Sequence, residues 1–186
     1  MGSIVLFHTG FDTIREPDIR YGRKNADFGQ GFYLCPDRDF SERWARSRKG
    51  RDTVINTYLL ETDGLDIMRF ERGEDWFSYI RDNRRGQADS LAGYDVITGP
   101  IANDTIYDTW GIFTSGLIPD SRVLELLGTG PAYEQTVIKT EKALAQLVWQ
   151  SSEIISPEKL AVCREKVLAE QEEYQAALAA KMLESG

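Results

Sequence analysis

The sequence predicts an α+β fold, and three features carry that prediction. Short runs rich in β-branched and aromatic residues are bounded by Gly, Pro and Asp turn formers. Between them lie stretches with apolar residues at helical spacing. Near the end, Glu158–Leu183 contains neither Gly nor Pro. At 186 residues, 41% of them hydrophobic, the chain can bury one core without staples. Residues 1–155 are expected to form that domain, with 156–186 as a helical extension.

Each element follows from local chemistry. Ile4–Phe7 reads as a short buried strand running into His8-Thr9-Gly10. A loop of turn formers follows, and Gly31–Cys35 reads as a second strand ended by Pro36. Asp37 is placed to cap the next helix, which carries Phe40 and Trp44 four residues apart on one face. Thr53–Leu60 and Leu65–Phe70 read as strands, Glu74–Arg84 as a helix with Trp76, Phe77 and Ile80 on one side. Tyr94–Thr98 is a buried strand closed by Gly99-Pro100; Asp104–Phe113 and Ser121–Leu127 read as helices. Gln135–Lys139 is a late strand, and Thr140 caps a helix over Glu141–Trp149. Ser156-Pro157-Glu158 starts the last helix, roughly 39 Å long at about 1.5 Å per residue. Its apolar stripe of Leu160, Val167, Tyr174, Leu178 and Met182 suits either packing across its own domain or docking of a partner or second copy.

Composition excludes several classes of function. The net charge of −8 disfavours general nucleic-acid binding, which draws its affinity from cations that release counterions. One histidine and two cysteines cannot build a zinc finger, a zinc hydrolase or an iron–sulfur site, so no metal is expected. Cys35 and Cys163, far apart in sequence, point to a reducing compartment, and MGSIVLFHTG lacks the basic start of a signal peptide. With no apolar run of membrane-spanning length, the expectation is a soluble cytoplasmic protein. Residues 15–51 hold ten Lys and Arg against six acids, a local excess that can focus a small anion such as a pyrophosphate, or form a solvated face.

Three segments belong together: Phe7-His8-Thr9-Gly10, Gly29-Gln30-Gly31-Phe32-Tyr33-Leu34 and Tyr133-Glu134-Gln135-Thr136-Val137-Ile138. In this order, at strand ends, they resemble the diphtheria-toxin-like and poly(ADP-ribose)-polymerase-like branch of the ADP-ribosyltransferase superfamily, whose signature is a His, Tyr, Glu triad on three strands. More closely, the chain resembles a bacterial family of unknown-function proteins with that fold. The likeness rests on Gly22-Arg23, Asp27-Phe28-Gly29-Gln30-Gly31-Phe32-Tyr33-Leu34, and Tyr94-Asp95-Val96-Ile97-Thr98-Gly99-Pro100-Ile101-Ala102-Asn103-Asp104. It covers roughly residues 3–150 and implies two small, mainly antiparallel sheets around an NAD cleft.

The resemblance also implies roles. His8 would hydrogen-bond the adenine-side ribose, the Thr9 backbone would hold the nicotinamide carboxamide, and Gly10 and Gly31 would let backbone approach the ligand. Tyr33 would stack on the nicotinamide, with Trp44, about three helical turns on, as a second aromatic and Phe28 nearby. Arg23 is the candidate for the pyrophosphate. At the third triad position the strand register puts Gln135, or Glu134 if the strand starts one residue out; alternation forbids both from facing inward. A neutral glutamine accepts a hydroxyl's hydrogen bond without offering charge, a change worth about tenfold in rate, against about 100–1000-fold for losing a full electrostatic stabiliser.

These expectations frame three functions. The first is a mono-ADP-ribosyltransferase using NAD as substrate, with a protein or nucleic-acid acceptor, or an NAD glycohydrolase with water as acceptor. The second is a weak or inactive module that binds NAD or ADP-ribose. The third is the toxin of a toxin–antitoxin pair, with the terminal helix meeting the antitoxin or a second copy. No membrane partner is expected. A Cys35–His8 thiol pair lacks an orienting third residue, and Gly29-Gln30-Gly31 precedes a strand where a Rossmann fingerprint must precede a helix.

Overall fold

The computed structural model describes residues 2–43, 45, 47–102 and 119–183. The first sheet has the order β1-β3-β7, all antiparallel: β1 (Ser3–Gly10), β3 (Thr53–Glu61) and β7 (Leu147–Ile155). The second has the order β2-β6-β5-β4: β2 (Phe32–Leu34), β6 (Glu134–Ile138), β5 (Val96–Pro100) and β4 (Ile67–Arg69), with only β4–β5 parallel. Among the described residues five α-helices flank the sheets: α1 (Arg38–Arg43), α2 (Glu74–Arg84), α3 (Asp120–Leu127), α4 (Glu141–Ala145) and α5 (Pro157–Leu183). The α+β class and the two small, mostly antiparallel sheets are therefore present. The segment read as a helix over Asp104–Phe113 lies outside the described residues, as do Trp44, Asn103 and Asp104.

Strand alternation sorts the side chains into two cores. Between the sheets, Leu6, Tyr58, Leu60 and Leu147 meet Phe32, Leu34, Val96 and Ile138. On the other face of the second sheet, Ile97 and Val137 pack under Trp76, Phe77, Tyr79 and Ile80 of α2 and Val123 and Leu127 of α3. Each such fully buried large side chain contributes about 1.5–3 kcal/mol. The Trp76 indole N–H is not stranded: it donates to the Pro100 carbonyl at 2.9 Å.

One element departs from the sequence reading. The helix expected over Glu141–Trp149 stops at Ala145, and Leu147–Ile155 forms β7 against β3. Residues 141–147 are good helix formers, but β3 would otherwise lack one neighbour, and pairing satisfies its backbone groups. Thr140 does cap α4, accepting from the Ala143 N–H at 3.2 Å. The apolar stripe of α5 turns partly inward: Tyr174 and Leu178 are buried with Cys163, whereas Met182 is exposed.

Asp95 explains part of the Tyr94–Asp104 segment. Its carboxylate accepts from Lys142 Nζ (2.7 Å), the Asp66 N–H (2.9 Å) and the Thr140 hydroxyl (2.7 Å), while its carbonyl accepts from the Lys139 N–H at 2.9 Å. It thus joins the approaches to β4, β5 and α4. Lys142, then the Asp66 amide and Thr140, hold its pKa down to about 2, so its stabilising charge is present through the neutral range and is lost only as pH falls from 3.8 towards 2. Asp95→Ala is expected to lower the unfolding free energy by about 2 kcal/mol in urea titration at neutral pH; an unchanged midpoint would contradict this role.

Candidate functional site

The two sheets are stitched together where β1 meets the end of β2. Phe7 and Cys35 exchange backbone hydrogen bonds at 2.8 and 2.9 Å, and one residue on, His8 Nδ1 lies 2.9 Å from the Tyr33 carbonyl oxygen. Beside this seam lies a cavity of about 300 Å³. His8 and Thr9 enter it from β1, Tyr33 from β2 and Cys35 from just after it, Ser41 from α1 and Gln135 from β6. Phe7, Leu34, Phe40 and Ile101 supply apolar wall, and Arg23, Ala26 and Asp27 complete it from the loop before β2. Five residues expected at one site, His8, Thr9, Arg23, Tyr33 and Gln135, thus come from three strands and a loop to one cavity.

The hydrogen bonds fix the chemistry of these groups. A carbonyl only accepts, so His8 Nδ1 carries the proton. Burial pushes the His8 pKa below 6.5, although the bond to Tyr33 works against it. The imidazole is therefore neutral near pH 7 and leaves Nε2 as a bare acceptor. That nitrogen lies towards Gly10, where an added Cβ would come within 3.5 Å of it. Gln135 is only 7% exposed, and its Nε2 has no hydrogen-bond partner among the described residues. A buried amide without a partner costs about 1–3 kcal/mol, a cost that a bound ligand would relieve. Cys35 is held as a thiol, its pKa raised by burial, with Sγ 3.4 Å from both the nitrogen and the oxygen of Asp37.

Tyr33 presents its ring to the cavity but not a free hydroxyl. The hydroxyl donates to the Gly29 carbonyl at 2.7 Å, accepts from the Phe28 N–H at 3.0 Å, and is pushed to higher pKa by burial. The 27–29 turn is pinned from behind: Arg84 Nε donates to Asp27 at 2.7 Å, Asn83 Nδ2 to the Asp27 carbonyl at 3.2 Å, and Lys139 Nζ to the Phe28 carbonyl at 2.5 Å. Gly29 sits there at φ 72°, where a Cβ would also meet Asp89 Oδ2 at 2.6 Å. The loop is tied to β3 by Asn56, fully buried, which accepts from the Ile14 N–H and donates to the Asp12 carbonyl, both at 3.0 Å. Asn56 went unmarked in the sequence because a polar residue in a β-rich run reads as solvent-facing.

The structure bears on four of the expected assignments. Phe28 is not at the cavity; it is fully buried in the core among Phe70 and Tyr79. Gly31 is required by the protein's own packing, since a Cβ there would stand 2.5 Å from the Ile138 carbonyl. Glu134 is exposed and does not line the cavity, so the strand register gives the inward position to Gln135. The basic segment is neutralised in part: four of its ten cations pair, Arg20 with Asp18, Arg38 with Glu42 and Glu153, Arg43 with Glu170, and Arg51 with Asp12. Arg23 is the member that reaches the cavity, from an exposed loop position. Trp44 lies outside the described residues.

Fold and site together define a two-sheet α+β domain with a neutral, half-apolar cleft at the join of its sheets. The chain belongs to the family described as "Protein of unknown function (DUF3990)", which matches residues 4–149. No curated protein matches it. Among the described residues, no helix is long and apolar enough to cross a membrane.

His8 is the only histidine, and carboxylates titrate lower, so its protonation can be followed through stability. The unfolded chain takes up the proton near pH 6.5 while the folded chain resists, so stability falls as pH drops below 6.5. Between about pH 7.5 and about pH 5.5, the wild type is expected to lose more unfolding free energy than His8→Gln. Equal losses in denaturant titrations would show that His8 is not held neutral.

Proposed function

We propose that this cavity binds NAD and that the protein transfers ADP-ribose from it to an acceptor. The observation that carries the reading is the meeting of His8, Tyr33 and Gln135, from three strands far apart in sequence, around one cavity. What the cavity offers suits a dinucleotide: an aromatic face, a neutral acceptor, an amide and one cation, among apolar walls. The Gln135 amide nitrogen, unpartnered among the described residues, supports the fit, since a ribose hydroxyl would satisfy it.

In this reading each residue does what its environment allows. Neutral His8 accepts a ribose hydroxyl at Nε2, with Nδ1–H anchored on the Tyr33 carbonyl. The Tyr33 ring, locked by its hydroxyl to Gly29, offers a fixed face to the nicotinamide. Arg23 is the candidate for the pyrophosphate, its guanidinium fork matching two phosphate oxygens. Gln135 orients the nicotinamide-side ribose. The bond from ribose to nicotinamide nitrogen breaks, its electron pair returns to the ring, and neutral nicotinamide leaves. The acceptor forms the new bond to the same ribose carbon and gives up its proton. A glutamine supplies only a dipole to the charge that develops on the ribose, so turnover is slow by about tenfold against a carboxylate.

The same neutral amide favours a second reading, a module that holds NAD or ADP-ribose without turnover. Nicotinamide release and NAD-dependent thermal stabilisation, measured on the same samples, separate the two. Wild type is expected to release nicotinamide, His8→Ala and Tyr33→Ala to lose at least about tenfold, and Gln135→Glu to gain about tenfold. Stabilisation without release would support the binding module. Release that survives unchanged in both alanine variants would overturn the site.

A further inference from the structure

The last helix lies beyond residues 4–149, the part matched by the family, yet through Glu170 it reaches back to Arg43 and Tyr133, beside the cavity. Cys35, Phe40 and Ile101 line the cavity and form one buried cluster, with Tyr133 packed against them. Tyr133 stacks on Phe40, ring centroids 4.1 Å apart and planes 20° from parallel, and its carbonyl accepts from the Ile101 N–H at 2.7 Å. Two residues later the chain enters the cavity as Gln135. Tyr133 is therefore the backing of the wall and the lead-in to the buried amide.

What holds Tyr133 comes from α5. Its hydroxyl donates to Glu170 Oε2 at 3.0 Å, and the other oxygen of that carboxylate takes the Arg43 guanidinium. Arg43, at the end of α1, lies 5.2 Å over the Tyr133 ring, so carboxylate, guanidinium and phenol close on one another. All three are partly shielded from water, where charge-assisted bonds are stronger than at the surface. Farther along, Lys159 pairs with Glu42 at 2.6 Å, and Arg122 of α3 donates to the Lys181 carbonyl. Of these three contacts, the Glu170 one reaches Tyr133, which packs against the cavity-lining cluster.

We propose that Glu170 is a positioning residue: through Arg43 and Tyr133 it sets the Phe40–Ile101 wall and the approach to Gln135, making α5 part of the site. Its functional readout rests on the reading of the cavity as an NAD site; its structural readout does not. A carboxylate removed from such a bracing position loosens the reacting geometry at a distance, for which losses of about ten- to hundredfold are typical.

The test uses the full chain as wild type, Glu170→Ala, Glu170→Gln, the exchange Arg43→Glu with Glu170→Arg, and Arg122→Ala as a variant that frees α5 away from the cavity. Hydrogen exchange without ligand comes first. Residues 131–136 and 38–43 are expected to exchange about tenfold faster in Glu170→Ala, less so in Glu170→Gln, and unchanged in Arg122→Ala. NAD affinity, by calorimetry, is expected to fall about tenfold in Glu170→Ala and to recover in the exchanged pair. Unchanged exchange in these segments would overturn the proposal, and so would faster exchange with undiminished NAD affinity. If wild type binds no NAD, the NAD reading fails by itself, and exchange alone decides whether Glu170 braces the wall.

Discussion

The site depends on a short seam between two sheets. β1 belongs to one sheet and β2 to the other, and they are hydrogen-bonded where Phe7 and Cys35 exchange backbone bonds and His8 reaches the Tyr33 carbonyl. Beyond that seam the sheets part, because Gly10 ends β1 and Pro36 turns the chain into α1. The cavity occupies the opening. The same bond that closes the seam assigns the proton on His8, so one interaction sets both the shape of the cleft and the character of its acceptor. Support comes from behind: the 27–29 turn locks Tyr33, and the Thr9 hydroxyl donates to the Ser41 carbonyl at 2.8 Å to hold α1 against β1.

Electrostatically the cleft is quiet. Burial keeps His8 neutral and Cys35 protonated, Gln135 carries no charge, and Asp27 is spent on Arg84. Arg23 enters from the loop. A low-charge interior with directional donors and acceptors favours recognition by shape and hydrogen bonding over capture by field. That accords with an acidic chain in which four of the ten basic residues of 15–51 are shown in ion pairs.

Much of this was legible in the sequence, because the positions that matter sit at strand ends marked by Gly and Pro. Tyr33 and Gln135 could be placed on strands, and His8 just past the end of one, from local pattern. What failed did so for definable reasons. Leu147–Ile155 follows six helix formers with no breaker, and only β3's need for a partner turns it into a strand. Phe28 and Gly31 lie within a motif that carries the site, yet they serve its scaffold: one fills the core, the other clears the Ile138 carbonyl. Glu134 and Gln135 could not be told apart until the pairing of β6 with β5 and β2 fixed which faces inward. The Glu170 contacts span 127 residues to Arg43 and 37 to Tyr133, distances at which no periodicity speaks.

The most direct test of the account is the nitrogen NMR spectrum of the single imidazole, recorded with and without NAD. The account predicts a neutral ring at pH 7 carrying its proton on Nδ1, and a shift of the Nε2 resonance as NAD saturates the site. A ring protonated on Nε2, or an Nε2 signal unmoved at saturating NAD, would contradict it.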